Sequence, residues 1–390
     1  MYKIKKMNAI SDAIYKYLTP DKYQVDEGVG DYDGILVRSA KCYCDEFPET
    51  LLAIARAGAG VNNIPCSECA EKGIVVFNTP GANANGVKEL VIAGILIASR
   101  NIIEATTWVQ TLIGKGEDVL PLVEQGKQQF VGPEIEGKTL GVVGLGAIGV
   151  MVANAARALG MNVVGYDPYI SVESAWGLDH AVERAHDLDA VLKHADYLTL
   201  HIPLLENTKS YIGAAETAKM KDGLVLLNFA RNELVEYDAL FAAFKSGKIA
   251  RYVTDFPNDL LLGNKYAICI PHLGASTPEA EENCARMAAR QLKDYLETGK
   301  IVNSVNYPNA VLPFTGKFRI AVIHQNISGM VGQITALLAE SGANITDMVN
   351  KSKGDYAYTV INIDDAVSAD TVAQISRIKG AIRTRTFSKE

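Results

Sequence analysis

No apolar run in the 390 residues reaches the length of a membrane span. The opening stretch, MYKIKKMNAISDA, lacks the apolar segment of a signal peptide. Both absences predict a cytoplasmic address. Cysteine is sparse, at six residues: Cys42, Cys44, Cys66, Cys69, Cys269 and Cys284. In that compartment they are expected to stay reduced. Cys66-x-x-Cys69 has the spacing of half a zinc or redox site. No second CxxC and no paired histidine accompany it, so no metal is expected, and small apolar residues at a helix start explain the pair. Excess positive charge is missing too. A formal net charge of −7 offers nucleic acid and anionic membranes no attractive surface. The remainder is ordinary for a globular chain, 48% hydrophobic and 21% charged. Its length suits two or three domains.

One stretch organises the rest: Lys138 to Asp167, KTLGVVGLGAIGVMVANAARALGMNVVGYD. A short apolar strand, Thr139 to Val143, runs into Gly144-x-Gly146-x-x-Gly149. A helical run from Ile148 to Leu159 stops at Gly160, and a second strand, Asn162 to Gly165, leads to Asp167. A lone glycine triplet is a weak signal. Strand, helix, second strand and acid in one register form the βαβ dinucleotide fingerprint. Gly144 permits the tight turn, Gly146 lets the backbone approach a pyrophosphate, and Gly149 lets helix and strand pack closely. The helix N-terminus offers free N–H groups to that anion. Asp167 lies where a carboxylate accepts from ribose hydroxyls and repels a 2′-phosphate. NAD is therefore the expected cofactor, in preference to NADP. The bland alternative is a plain βαβ turn with Asp167 as a helix cap.

Before the fingerprint, residues 1 to about 80 alternate strand and helix. Gly34–Val37 reads as a strand ending at Arg38, Leu51–Arg56 as helix plus strand, and Gly73–Phe77 as a further strand. Ligands of open parallel sheets sit at such strand ends, which makes Arg38 a candidate for an anionic substrate. Val87–Asn101 is apolar nearly all round and is expected to be buried, between domains or subunits. After Asp167 the alternation resumes, with strands ending at His201-Ile202-Pro203, Phe229-Ala230-Arg231, Asp255 and Pro271-His272. Repeated strand–helix units predict an α/β, doubly wound parallel sheet. Arg231, Asp255 and His272 should converge on one crevice. Residues 299–316 hold two prolines and two glycines and read as an extended segment and linker. The last 75 residues read as βαββαβ, a separate ferredoxin-like unit.

Oxidising a 2-hydroxy acid requires a base for the hydroxyl proton, and histidine suits neutral pH. His272 sits at a strand end, before the flexible Gly274-Ala275-Ser276. A carboxylate beside it would favour and orient the imidazolium, with Asp255 and Asp259 the candidates. The substrate carboxylate calls for a planar double donor, and Arg231 fits. The bland alternative for His272 is a satisfied loop histidine.

These motifs together resemble the D-isomer-specific 2-hydroxyacid dehydrogenases. The match runs through Val37-Arg-Ser39, Val76-Phe-Asn-Thr-Pro80 with Asn83, Glu89-Leu-Val91, the fingerprint with Asp167, Leu227-Asn-Phe-Ala-Arg231, Val253-Thr-Asp-Phe-Pro257 and Pro271-His-Leu-Gly-Ala-Ser-Thr277. The resemblance implies that His272 is the acid/base and Arg231 the carboxylate clamp, with an acid, best matched by Asp259, orienting His272. It implies that Arg38 and Asn83 line the substrate site. It places Gly144, Gly146–Gly149, Asp167, His201–Pro203, Phe229–Arg231, Asp255, His272, Gly274 and Ala275 around NAD. It also implies two Rossmann-like domains, a discontinuous substrate domain (1–82 and 275–313) and an NAD domain (83–274). Residues 317–390 would be an ACT domain, whose matches to an L-serine site are His324, Asn326 and Asn344. The tail points to the serine-biosynthetic branch of the family, which oxidises 3-phospho-D-glycerate to 3-phosphooxypyruvate. A glycerate or hydroxypyruvate reductase and an NAD-sensing corepressor are the alternatives. Membership suggests a homodimer or homotetramer assembled through Val87–Asn101 and the tail. Two departures stand out: Arg231-Asn232 replaces the family's Arg-Gly, and Asp255-Phe-Pro-Asn-Asp259 is one residue shorter than the family segment ending in Glu. Ala40 and Lys41 also follow Arg38, where phosphate-using members often carry further cations.

Overall fold

The computed structural model describes residues 1–26, 28 and 30–389. They form two compact units, Met1–Ala82 with Pro278–Glu390, and Asn83–Thr277.

The first unit begins with strands β1 (Tyr2–Lys6), β2 (Tyr23–Asp26), β3 (Gly34–Val37) and β4 (Ala53–Arg56). Helix α1 (Cys66–Glu71) and strand β5 (Val75–Phe77) follow. Their order is β2-β1-β3-β4-β5, all parallel. Gly34–Val37 is buried throughout, as befits a central parallel strand covered on both faces. The expected helix before β4 is not formed: Leu51 follows a turn, its amide donating to the Pro48 carbonyl at 3.1 Å, and only Ala53–Arg56 is regular. Helix α1 starts at Cys66, with Cys69 buried against the sheet.

The second unit opens with α2 (Ala84–Arg100), α3 (Ile102–Gln110) and α4 (Val119–Gly126). It continues as β6 (Thr139–Val143), α5 (Ala147–Ala158), β7 (Asn162–Tyr166), α6 (Val172–Trp176), β8 (Glu183–Arg184), α7 (Leu188–His194) and β9 (Tyr197–Leu200). Helix α8 (Ala214–Lys219), β10 (Leu224–Asn228), α9 (Tyr237–Ser246), β11 (Ile249–Thr254) and β12 (Ala267–Cys269) complete it. The seven parallel strands run in the order β12-β11-β10-β9-β6-β7-β8. The chain reverses direction across the sheet at β6, whose neighbours are β7 and β9. A crevice forms at the carboxyl ends beside such a switch point. Val87, Val91, Ile95 and Ala98 of α2 enter the core. Leu96 on its other side is 37% exposed, so α2 is not covered all round within the chain. Helices α2 and α3 meet at a 66° bend, and among the described residues no single helix is long and apolar enough to cross a membrane.

The chain returns to the first unit through α10 (Pro278–Thr298). It ends with β13 (Phe318–Gln325), α11 (Met330–Glu340), β14 (Ile345–Lys353), β15 (Tyr356–Ile363), α12 (Ala369–Ser376) and β16 (Ala381–Ser388). These strands form an antiparallel sheet, β14-β15-β13-β16, with the ferredoxin-like βαββαβ succession. Period-two alternation gives β13 two buried faces. Ile320 and Val322 pack with Met330, Ile334 and Leu338 of α11, whereas Ala321 and Ile323 join the core containing Tyr295, Leu296 and Ile301.

Residues 299–316 are therefore packed and do not act as a free linker. Ile301 and Tyr307 are fully buried, and Ile301 bridges Ala310. Three arginines of the tail fasten this arrangement. Arg319, 1% exposed, donates to the carbonyls of Thr298 (2.8 Å) and Leu312 (2.7 Å). Arg385 donates to Tyr295 and Leu296 at 3.0 and 2.7 Å, and Arg383 donates to Leu51 at 2.6 Å. Carbonyls at the end of a helix lack intrahelical donors, so the α10 C-terminus is a natural receptor for guanidinium groups.

Candidate active site

Strand β6 runs into Gly144, whose φ of 92° excludes most side chains. A Cβ there would also lie 2.6 Å from the His201 carbonyl oxygen. The His201 amide donates to the Val143 carbonyl at 2.7 Å, so the end of β9 lies directly against this turn. At Gly149 a Cβ would fall 1.9 Å from the Gly144 carbonyl oxygen, so α5 leaves the strand at a separation only glycine allows. Gly146 differs, because a Cβ there would meet nothing within 4 Å. The space above it is open to a ligand. The Asp167 carboxylate accepts from Leu145 N and Tyr169 N, both at 2.8 Å, and is fixed at the end of β7. An open glycine, a helix N-terminus and a fixed acid on the next strand suit a dinucleotide with free ribose hydroxyls.

Strands β10, β11 and β12 are neighbours, and their ends carry the reactive groups. Asn228, fully buried at the end of β10, was not singled out by sequence. Its Nδ2 donates to the Arg231 carbonyl at 2.8 Å, and its Oδ1 accepts from Ala230 N at 3.2 Å. It thereby shapes the Phe229–Arg231 turn and leaves the Arg231 side chain exposed. Thr254 Oγ1 donates to the Asn228 carbonyl (2.9 Å) and accepts from Phe256 N (3.2 Å), tying β11 to the same turn. A buried asparagine and threonine ending two apolar strands were the available sequence signal.

His272 is exposed, and its ring meets Phe256 edge-on at 5.0 Å. Its loop is backed by α2: a Cβ on Gly86 would lie 2.7 Å from the Gly274 carbonyl oxygen. Asp255 is 2% exposed, and its Oδ1 is buried without a hydrogen-bond partner among the described residues. Burial raises its carboxyl pKa above the usual carboxylate range, while His272 and, more weakly, Arg231 pull it back down. Arg231 and His272 are the two cations whose charges act on the buried Asp255 carboxyl, in line with the expectation that the three strand ends face one crevice.

Asp259 does not join them. It is exposed, and among the described residues its carboxylate has no hydrogen-bond or ion-pair partner. The reason lies in the preceding residue. Asn258 donates to the Tyr237 hydroxyl at 2.7 Å and accepts from Leu260 N and Leu261 N, folding the short loop outward. The same Tyr237 hydroxyl donates to Asn232 Oδ1. The two sequence departures, at Asn232 and in the 255–259 segment, therefore meet at one hydroxyl group.

His201 bonds Thr199 Oγ1 through Nε2 at 3.0 Å, and burial pushes its pKa down to about 3. A neutral imidazole suits a lining group and not a proton carrier. In the first unit, Arg38 follows β3, with its guanidinium 2.6 Å from Glu281. Asn83 precedes α2 in the second unit. In the tail, His324 is buried, with Nδ1 against the Gln325 carbonyl and Nε2 against Thr359 Oγ1. Asn326 is exposed near it, and Asn344 is exposed and donates to Asp364 at 2.6 Å. The register puts Ala357 of β15 opposite His324 and Ile363 opposite Ile345. At roughly 3.4 Å per residue, His324 and Asn344 stand about 20 Å apart at opposite ends of the sheet. That distance exceeds the span of a single amino acid such as serine.

Comparison with known proteins identifies the family. The profile of the D-isomer-specific 2-hydroxyacid dehydrogenase NAD-binding domain matches residues 92–274. D-3-phosphoglycerate dehydrogenase of Methanocaldococcus jannaschii is 37% identical over 84% of this chain, which spans 61% of that relative's length. The Escherichia coli K12 enzyme of that name is 30% identical, with 94% of this chain and 89% of the relative aligned. Among solved structures, the NAD+-bound 3-phosphoglycerate dehydrogenase of Entamoeba histolytica superposes with a TM-score of 0.61 at 26% identity. That match covers 80% of this chain and 99% of the other. The chain belongs to the D-isomer-specific 2-hydroxyacid dehydrogenase family, and the cofactor its fingerprint holds is NAD.

Proposed function

We propose that this protein oxidises 3-phospho-D-glycerate to 3-phosphooxypyruvate with NAD, the first step of L-serine biosynthesis in the cytoplasm. The observation carrying the substrate is the alignment with the E. coli D-3-phosphoglycerate dehydrogenase over 94% of the chain, tail included.

NAD, when bound, supplies the acceptor for the C2 hydride. The chain's own residues do the rest. Arg231 binds the substrate carboxylate through its planar fork and polarises the C2 oxygen. His272 accepts the hydroxyl proton on an imidazole nitrogen as the hydride departs. Asp255 stabilises the imidazolium so formed, taking the role expected of Asp259. Its charge is desolvated, and this strengthens its pull on a neighbouring cation. Phe256 holds the imidazole plane. Gly144, Gly146–Gly149 and Asp167 seat the adenosine half of NAD, and His201–Pro203, Phe229–Arg231, Gly274 and Ala275 line the nicotinamide half. Arg38 and Asn83 are substrate contacts, with Arg38 serving the phosphate.

The functional division is a substrate domain (1–82 and 275–313), an NAD domain (83–274) and an ACT-like regulatory domain (317–390). L-serine is the proposed effector of that tail, acting in a homodimer or homotetramer. The separation of His324 and Asn326 from Asn344 favours a site completed by two copies.

Purified protein should form NADH from 3-phosphoglycerate and NAD. Turnover confined to glycerate or another hydroxy acid would overturn the substrate. Calorimetry with L-serine on the full chain, repeated on Asn344→Ala, tests the effector: heat of binding lost in the variant supports it, and no binding to the parent rejects it.

A further inference from the structure

We propose that Glu281 is a resident competitor for the substrate's phosphate at Arg38, and so limits the preference for phosphorylated over unphosphorylated acids. This rests on the reading of Arg38 as an anion contact.

Arg38 leaves the sheet from a fixed point. Asn8 Oδ1 accepts from the amides of Arg38, Ser39 and Ala40 at 3.2, 3.1 and 3.0 Å. The Arg38 carbonyl accepts from Arg56 Nε at 3.1 Å and from Asn63 Nδ2 at 3.4 Å. The guanidinium beyond this anchored backbone is 37% exposed, and its Nη1 lies 2.6 Å from Glu281 Oε1. Glu281 is equally well placed. It stands on the first turn of α10, whose inner face buries Ala280, Cys284 and Ala285. Cys284, one turn along, feels the charges of Arg38, Arg56 and Glu281 together. This corner of the first unit thus holds two guanidinium groups and one carboxylate.

A phosphate arriving at Arg38 must displace that carboxylate. The displacement is cheap for two reasons. The pair is half in solvent, where such contacts contribute little. Glu281, once released, still lies in the first turn of a helix, where the dipole favours negative charge. An acid without phosphate has its carboxylate served by Arg231 and makes no demand on Arg38. Glu281 therefore weakens binding of the phosphorylated acid selectively and leaves Arg38 neutralised when no phosphate is present.

The test is steady-state kinetics of the full chain carrying Glu281→Gln, Arg38→Gln and both changes, with 3-phosphoglycerate and with D-glycerate. Glu281→Gln should lower KM for 3-phosphoglycerate about two- to five-fold, the range expected for losing an exposed ion pair. KM for D-glycerate and affinity for NAD should not move. Arg38→Gln should raise KM for 3-phosphoglycerate, and in the double variant the Glu281 effect should vanish. If Arg38→Gln raises that KM while Glu281→Gln leaves it unchanged or raises it, Glu281 is no competitor and the proposal falls alone. If Arg38→Gln changes nothing, the reading of Arg38 falls and takes the proposal with it. A Glu281→Gln effect shared equally by D-glycerate would also overturn the selectivity claimed.

Discussion

Phe256 stands edge-on to His272, with ring centres 5.0 Å apart and planes at 82°. The residue before Phe256 is the buried acid whose charge reaches the same imidazole. One turn of chain thus supplies both a steric stop and an electrostatic partner for the imidazole proposed as proton acceptor. His272→Ala should lower kcat by at least ~10²-fold through lost acid–base help. Phe256→Ala should cost up to ~10-fold, the worth of one aromatic contact, and leave affinity for NAD unchanged. Stopped-flow and steady-state rates check both.

Asp255→Asn separates stability from catalysis. The buried carboxyl has a raised pKa, so the folded apoprotein disfavours its charged form. As pH rises through the ordinary carboxylate range toward the raised value, the unfolded chain loses its proton first and stability falls. At neutral pH, Asp255→Asn should therefore raise Tm while lowering kcat. The Tm difference should disappear below the ordinary carboxylate pKa, where both states carry the proton. Asp259→Asn, on an exposed group, should change neither. Thermal melts and pH–rate profiles across pH 3–9 decide. A kcat loss with Asp259→Asn and none with Asp255→Asn would exchange the two roles.

The fingerprint glycines should fail in different ways. A Cβ at Gly149 collides with the Gly144 carbonyl at 1.9 Å, so Gly149→Ala should lower Tm. A Cβ at Gly146 meets nothing, so Gly146→Ala should fold normally and lose affinity for NAD. Melting curves beside cofactor titrations distinguish the two.

His201 should not titrate in the physiological range, because burial holds its pKa near 3. The unfolded chain, with an imidazole near 6.5, takes up its proton first as pH falls. The stability tied to the neutral ring is full above about 6.5 and lost progressively toward 3. NMR of the His201 ring proton should show a constant shift between pH 5 and 8. A midpoint in that window would remove the burial argument.

Much of this was legible in sequence because backbone rules are local. The glycine spacing and Asp167 marked the βαβ turn, and strand ends at Arg231, Asp255 and His272 followed from alternation. The βαββαβ order of the tail was equally readable. What sequence hid was set by contacts distant along the chain. The 299–316 segment looked like a linker because its prolines and glycines say nothing of Tyr307, buried beneath Ala70, whose carbonyl accepts its hydroxyl. The partner of His272 was read from a motif position, Asp259. The structure shows a shortened loop turned away by Asn258 and Tyr237, with Asp255 left inside.

The central claim is met most directly by NADH formation, followed at 340 nm, from 3-phosphoglycerate, D-glycerate and D-lactate in parallel. The account predicts turnover with 3-phosphoglycerate at the highest kcat/KM, lowered at least ~10²-fold by His272→Ala and lowered as well by Arg231→Gln. Equal or greater kcat/KM for D-glycerate or D-lactate, or 3-phosphoglycerate turnover left undiminished by His272→Ala, would contradict it.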